Sequence, residues 1–203
     1  MSSNDTMCTP VHWQLDKLFK EALLHAHSAI PAHLQAKIVY TETGVPDTGK
    51  GIHSMYCEWL QNVHAEFRVF SDANTAEYLY FSPSTNLLYR LIHDIDHAVH
   101  YDIGRGTTKY TDEKYLNCLM AKRAYEYATL HADRATALLL FFSVYHDTVG
   151  QAEFYKDKGE FCNNQRQNTI TLMNECKGVQ AVKSGRLGVA KQIMYAFLID
   201  CGV

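Results

Sequence analysis

Ser82-Pro83-Ser84-Thr85-Asn86-Leu87-Leu88-Tyr89-Arg90-Leu91-Ile92-His93-Asp94-Ile95-Asp96-His97-Ala98-Val99-His100-Tyr101-Asp102 reads as one amphipathic helix and marks the chain as mainly helical. Serine can cap a helix and proline tolerates the first helical position, so the helix begins at Ser82-Pro83. It is expected to run to about Tyr101, with Gly104 and Gly106 ending it. At about 100° per residue, Leu88, Leu91, Ile92, Ile95 and Val99 share one side. His93, Asp96, His97 and His100 fall at i, i+3, i+4 and i+7, almost opposite. An ordinary amphipathic helix would simply show such a stripe to water. Solvated stripes, however, usually carry lysine and glutamate, whereas this one holds imidazoles and short carboxylates, the side chains that bind metals.

Outward from this helix the punctuation stays helical. Residues 11–30, after Thr9-Pro10, align Leu15, Leu18, Phe19, Leu23 and Leu24 in one apolar stripe. A second helix is expected over 32–39, a loop over the glycine- and proline-rich 41–51, and a further helix over 52–65. Phe67-Arg68-Val69-Phe70 and Tyr78-Leu79-Tyr80-Phe81 read as two strands of a small β-hairpin. Thr111 is expected to cap a helix reaching His131, with Asp112 and Glu113 in its first turn where the helix dipole favours negative charge. The apolar run 135–145 reads as a core helix. A helix over 147–176 with a weak point at Gly159, and a last one over 186–199, follow. The expectation is a multi-helix, mainly α single domain over 1–203, with a small hairpin near 67–81 and disorder over 1–10.

A chain of 203 residues and 23.1 kDa fits one domain able to bury a substantial core. Its net charge of −3 and pI of about 6.4 give no global basic field, so neither nucleic acid nor an anionic membrane surface is indicated. Six cysteines without a C-x-x-C pair read as small buried hydrophobes in a reducing cytosol. No signal pattern opens the chain, and 135–145 is far short of the ~20 apolar residues of a membrane span. Cytoplasm is the expected location.

His93 and His97, one turn apart, can coordinate one cation, with further ligands arriving from elsewhere. Glu113 can return to them through an αα-hairpin, and Asp147, beside His146 at the edge of the apolar run, is a second acidic candidate. Simple dipole compensation by Glu113 and plain N-capping by Asp147 are the competing accounts. The candidate metal set is therefore His93, His97, Glu113 and Asp147, for a divalent ion that donor type leaves open among Zn, Mn, Fe and Ni. Asp94 is a candidate base or orienting group. Arg105 and Lys109, in the loop Gly104-Arg105-Gly106-Thr107-Thr108-Lys109, are candidates to hold a phosphate, although a plain connection would look the same. Gln151, one helical turn past Asp147, is a further candidate for the same cavity, with Tyr89, Tyr101 and Tyr115 as walls.

Two resemblances join these readings. Leu91-Ile92-His93-Asp94-Ile95-Asp96-His97 resembles the His-Asp segment of the HD superfamily of metal-dependent phosphohydrolases, which includes cyclic-nucleotide phosphodiesterases. That resemblance implies a metal bound by His93 and Asp94 as the pair, Asp147 as the later aspartate, and His53 or His64 as the earlier histidine. The strand-like stretch 67–81 stands where that fold has continuous helix. A longer resemblance spans Phe67 to Gln165. Phe67-Arg68-Val69-Phe70, the helix from Asn86 through His97, Thr111-Asp112-Glu113 and Asp147-Thr148-Val149-Gly150-Gln151 look like small proteins of tailed bacteriophages. It implies a phage origin, the host cytoplasm, and a shared polar site of His93, Asp94, His97, Glu113, Asp147 and Gln151.

The expected function is a metal-dependent hydrolase acting on a phosphoester or nucleotide. A metalloprotease-like zinc site is one alternative, its acid being Asp94 where the familiar H-E-x-x-H helix has glutamate. A non-catalytic phage effector that binds a host protein is the other.

Overall fold

The computed structural model describes residues 10–203, which fold in the order α1 (Pro10–Ser28), α2 (Ala32–Gln35), β1 (Ile38–Thr41), α3 (Gly49–Gln61), β2 (Phe67–Phe70), α4 (Pro83–Tyr101), α5 (Tyr110–His131), α6 (Arg134–Lys158), α7 (Gln165–Glu175), α8 (Lys177–Lys183) and α9 (Leu187–Cys201). The architecture is mainly α, as the periodicity indicates. Of the residues 1–10 expected to be disordered, 1–9 lie outside the described residues and Pro10 opens α1. No helix of the described residues is long and apolar enough to cross a membrane.

The α5–α6 pair forms the spine, with α1, α7, α8 and α9 laid against it. Ala121, Ala124 and Ala128 are fully buried on α5, and such small side chains let a neighbouring helix approach closely. The middle of α6, from Ala137 to Gly150, is buried on nearly every side, as a helix apolar all round must be. Asp133 caps α6, its carboxylate accepting from the Thr136 amide and hydroxyl at 2.9 Å each. Because nothing between Tyr145 and Asp147 breaks this helix, the helix expected over 135–145 and the first part of the one expected over 147–176 are one, the remainder of the latter being the separate α7, and Asp147 lies inside α6 rather than at a cap. The chain stops at Gly159 instead, in the left-handed conformation (φ 75°) that glycine adopts without steric cost.

The expected hairpin does not form. Phe67–Phe70 is a strand, but it pairs in parallel with Ile38–Thr41, Ile38 opposite Phe67 and Thr41 opposite Phe70, and α3 supplies the crossover that parallel strands require. Residues 38–39, read from sequence as the end of a helix, belong to the β-branched and aromatic run Ile38-Val39-Tyr40, which suits a strand. Leu79, Tyr80 and Phe81 are buried without joining the sheet and lead the chain into α4. Local alternation identified β2; it carried no information about its partner.

α4 begins as expected, with the Ser82 hydroxyl accepting from the Thr85 amide and Pro83 in the first turn. Its two sides are not the apolar and solvated faces that periodicity suggests. Leu91 and Ile92 are buried, yet so are Asp96 and His97, while Val99 is 53% exposed. Periodicity sets angles around a helix, and the packing of α5 against the polar stripe decides what is covered. Asp96 there forms a bidentate pair with Arg123 of α5, at 2.8 and 3.0 Å. Replacing Asp96 by Ala strands a largely buried guanidinium, and urea unfolding should show a loss of about 3 kcal/mol. A loss below ~1 kcal/mol would class the pair with solvated surface bridges.

The expected cap Thr111 lies inside α5, and Lys109 occupies the N-cap position without a side-chain cap bond. Asp112 faces the preceding loop, its Oδ2 accepting from the Thr107 amide at 3.1 Å and from the Thr107 hydroxyl. Among the described cysteines, Cys118, Cys176 and Cys201 are buried and Cys57 and Cys162 half-buried, all as free thiols.

Candidate metal centre

Where α4 meets the first turn of α5, His93 and His97, one helical turn apart, face Glu113. His93 Nε2 stands 3.1 Å from Glu113 Oε2, His97 Nε2 3.1 Å from Glu113 Oε1, and the two Nε2 atoms 3.1 Å from each other. The donor atoms of all three residues lie within 4.8 Å of one another, and the cluster can hold a metal ion.

The local structure prepares these donors. His97 Nδ1 lies 3.2 Å from the Gly106 carbonyl, which can only accept, so Nδ1 carries a proton and Nε2 is the atom that faces the cluster, donating to Glu113 in the metal-free chain and free to give its lone pair to a cation once that proton leaves. His93 is held by the Tyr89 ring, stacked on it at 5.3 Å between centroids, and the Tyr89 hydroxyl donates to Asn117 Oδ1 at 2.6 Å, one turn beyond Glu113. His93 Nδ1 is buried and without a hydrogen-bond partner. His97 is 2% exposed, His93 13% and Glu113 25%, so the cluster opens to solvent only past Glu113 and His93.

Charge organises the same atoms. Burial alone would raise the pKa of Glu113, but hydrogen bonds from His93 and His97 hold its carboxyl well below the usual range. Burial opposes a charged His97, yet the bond and the charge of Glu113 outweigh it and raise its pKa. Asp94 lies within electrostatic reach of all three, and desolvation pushes its carboxyl up to about 6 against the pull of His93 and His97.

The three-donor group does not include the other residues singled out from sequence. Asp147 is 5% exposed, its Oδ1 accepting from the Thr169 hydroxyl at 2.9 Å and the Gln165 amide at 3.1 Å. His53 sits against Ala98 and Asp102, and His64 is exposed, so the ligand set implied by the HD resemblance does not converge. His100 bonds back to the Asp96 carbonyl at 2.8 Å. In the 104–109 loop the Thr107 amide and hydroxyl are taken by Asp112, Arg105 lies over the Tyr115 ring at 5.1 Å, and Lys109 is exposed. Tyr101 stacks on His53 rather than walling the cluster. The Gln151 amide nitrogen is buried and lacks a hydrogen-bond partner. Reading the sequence missed the Gly106 carbonyl, a backbone atom with no side-chain signature, and Asn117, whose role follows only from its place one turn past Glu113.

Asp147 has a pH signature of its own. Burial pushes its carboxyl up to about 7 from an ordinary 3.8, against the pull of Thr169 and Gln165. Between these values the folded chain keeps a proton that the unfolded chain has lost. Its contribution is therefore fully present below about pH 4 and lost as the pH rises through about 7, at up to ~1.4 kcal/mol per unit. Asp147→Asn should raise the melting temperature relative to wild type at about pH 8 more than at about pH 5. Equal differences at both would contradict a protonated Asp147.

Compared with family models, with curated proteins and with solved structures, the chain matches none of them.

Proposed function

We propose that this protein is a metal-dependent hydrolase acting on a phosphoester or nucleotide, its divalent cation held by His93 Nε2, His97 Nε2 and the Glu113 carboxylate. The observation that carries the reading is the convergence of these three donors, with the His97 tautomer set by the Gly106 carbonyl. Two imidazoles and a carboxylate suit Zn, Mn, Fe or Ni and leave coordination positions for water and substrate. Such a cation lowers the pKa of a bound water and polarises a phosphoryl oxygen. Asp94, next to His93 and with its carboxyl raised to about 6 by burial, would be the base that takes a proton from the attacking water. Arg105 and Lys109 belong to the loop whose Gly106 touches His97, and from there they would hold the substrate phosphate and offset developing charge. The resemblance to small phage proteins extends the proposal to a phage-encoded enzyme working in host cytoplasm.

Metal analysis, combined with assays on nucleotides and bis(p-nitrophenyl) phosphate, tests this. Wild type should carry one more equivalent of metal than His97→Ala and should lose hydrolysis on chelation. Metal-loaded protein that leaves every phosphoester intact would end the reading. A peptidase is the second reading, favoured by Asp94 standing in the acid position after the first histidine of His93-Asp94-Ile95-Asp96-His97, with Glu113 as third ligand. Cleavage of peptides with phosphoesters untouched selects it. A tight host-protein complex with neither substrate turned over would instead select the effector role.

A further inference from the structure

Where the end of α9 meets the first half of α5, two thiols face each other. Cys118 lies one turn past Lys114 on α5, and Cys201 is the last residue of α9. The Lys114 ammonium pairs with Asp200, so α5 and α9 are joined one turn before Cys118 and one residue before Cys201. Cys118 Sγ stands 3.8 Å from the Phe197 carbonyl, one turn before Cys201, and the two thiols share a hydrogen bond. Cys201 Sγ also stands 4.0 Å from the Tyr145 hydroxyl of α6. Cys118 is fully buried, whereas Cys201 is 5% exposed, with Asp200 and Gly202 on either side of it open to solvent.

We propose that Cys118 and Cys201 form an oxidative modification site, at which hydrogen peroxide closes a disulfide that ties α9 to α5. Cys201 is the attacking thiol. The Cys118 S–H directed at it, together with the Lys114 ammonium, holds the Cys201 thiol below its ordinary value despite burial. Its thiolate takes one peroxide oxygen, the O–O bond breaks, and the other oxygen leaves as water with the proton that Cys201 gave up. The Cys118 sulfur then attacks the sulfenic sulfur, and the S–OH group leaves as a second water with the Cys118 proton. In sum the two thiols lose two electrons and two protons, and the peroxide becomes two waters. Burial fixes this order, because the oxidant meets Cys201 and not the enclosed Cys118. It also selects a small oxidant over a bulky disulfide. Gly202 stands against the 104–109 loop, a Cβ built on it lying 3.5 Å from Arg105 Nη2. The bond therefore fastens the end of α9 beside the loop whose Gly106 carbonyl orients His97.

The full chain, reduced and freed of metal by chelation, is treated with hydrogen peroxide, unfolded, alkylated and digested for mass spectrometry. Wild type should give one peptide pair joined through Cys118 and Cys201, two hydrogens lighter than the separate peptides, and dithiothreitol should separate it. Before digestion, the oxidised protein should unfold at a higher urea concentration than the reduced one, since the bond closes a long loop. Cys118→Ser should stop at a sulfenic acid on Cys201 that dimedone traps, and Cys201→Ser should leave Cys118 a free thiol. The metal-free chain is used throughout, so failure of the His93-His97-Glu113 site leaves this result intact. Wild type in which peroxide oxidises Cys57 or Cys162 while Cys118 and Cys201 are both recovered as alkylated thiols overturns the proposal.

Discussion

Glu113→Gln is expected to lower metal affinity at the α4–α5 cluster at least ~100-fold and to lower the proposed hydrolysis by a similar factor. The substitution keeps the shape of the side chain and removes its charge. A neutral amide is a poor ligand beside two neutral imidazoles, and altering even an outer partner of a metal ligand costs 10–100-fold. In the metal-free protein the same change removes the group that raises the His97 pKa and leaves that ring against an uncharged neighbour. His97→Ala should have an equal or larger effect on the metal, because it deletes the one ligand whose tautomer the fold has already chosen. Isothermal titration with Zn²⁺ and Mn²⁺ measures both. Unchanged affinity in Glu113→Gln would mean that the carboxylate does no more than pair with the two rings.

Gly106→Ala should act on the fold and on the metal together. A Cβ built on Gly106 would lie 2.0 Å from the His97 carbonyl oxygen, 2.5 Å from the Tyr101 amide nitrogen and 2.7 Å from Tyr101 Cα. All three are backbone atoms, so no side chain can turn aside and the loop must leave α4. The start of α3 is equally close: a Cβ on Gly49 would come within 2.2 Å of the Gly106 carbonyl oxygen. A shift of this kind should cost about 3 kcal/mol in denaturant unfolding, at the upper end of overpacking effects. It also withdraws the carbonyl that orients His97, so metal affinity should fall with stability. A stable Gly106→Ala protein with normal metal affinity would show that the loop's close approach to α4 is dispensable.

The candidate metal cluster was partly legible from sequence because its two histidines lie on one helix, where a spacing of four residues fixes their relation. Glu113 could be suggested only as an acid returning through a short connection. Asp147 looked like an equal partner and stands elsewhere, bound to Thr169 and Gln165 of α7, because its direction depends on where α6 lies in the fold. The sheet divides in the same way: the alternation of Phe67 to Phe70 announces a strand, whereas the partner twenty-nine residues earlier is set by the α3 crossover.

By itself the chain determined what depends on neighbours within a turn or two: the helical class, the Ser82-Pro83 start of α4, and the His93–His97 pair. These follow from capping chemistry and from 3.6 residues per turn, which act locally. Only the tertiary structure decided that the polar face of α4 is covered, that Glu113 and not Asp147 meets the histidines, and that Gly106 supplies the orienting carbonyl. Those outcomes depend on how α3, α5 and the intervening loop pack around α4, and contacts between segments distant in sequence leave no periodic trace in any one of them.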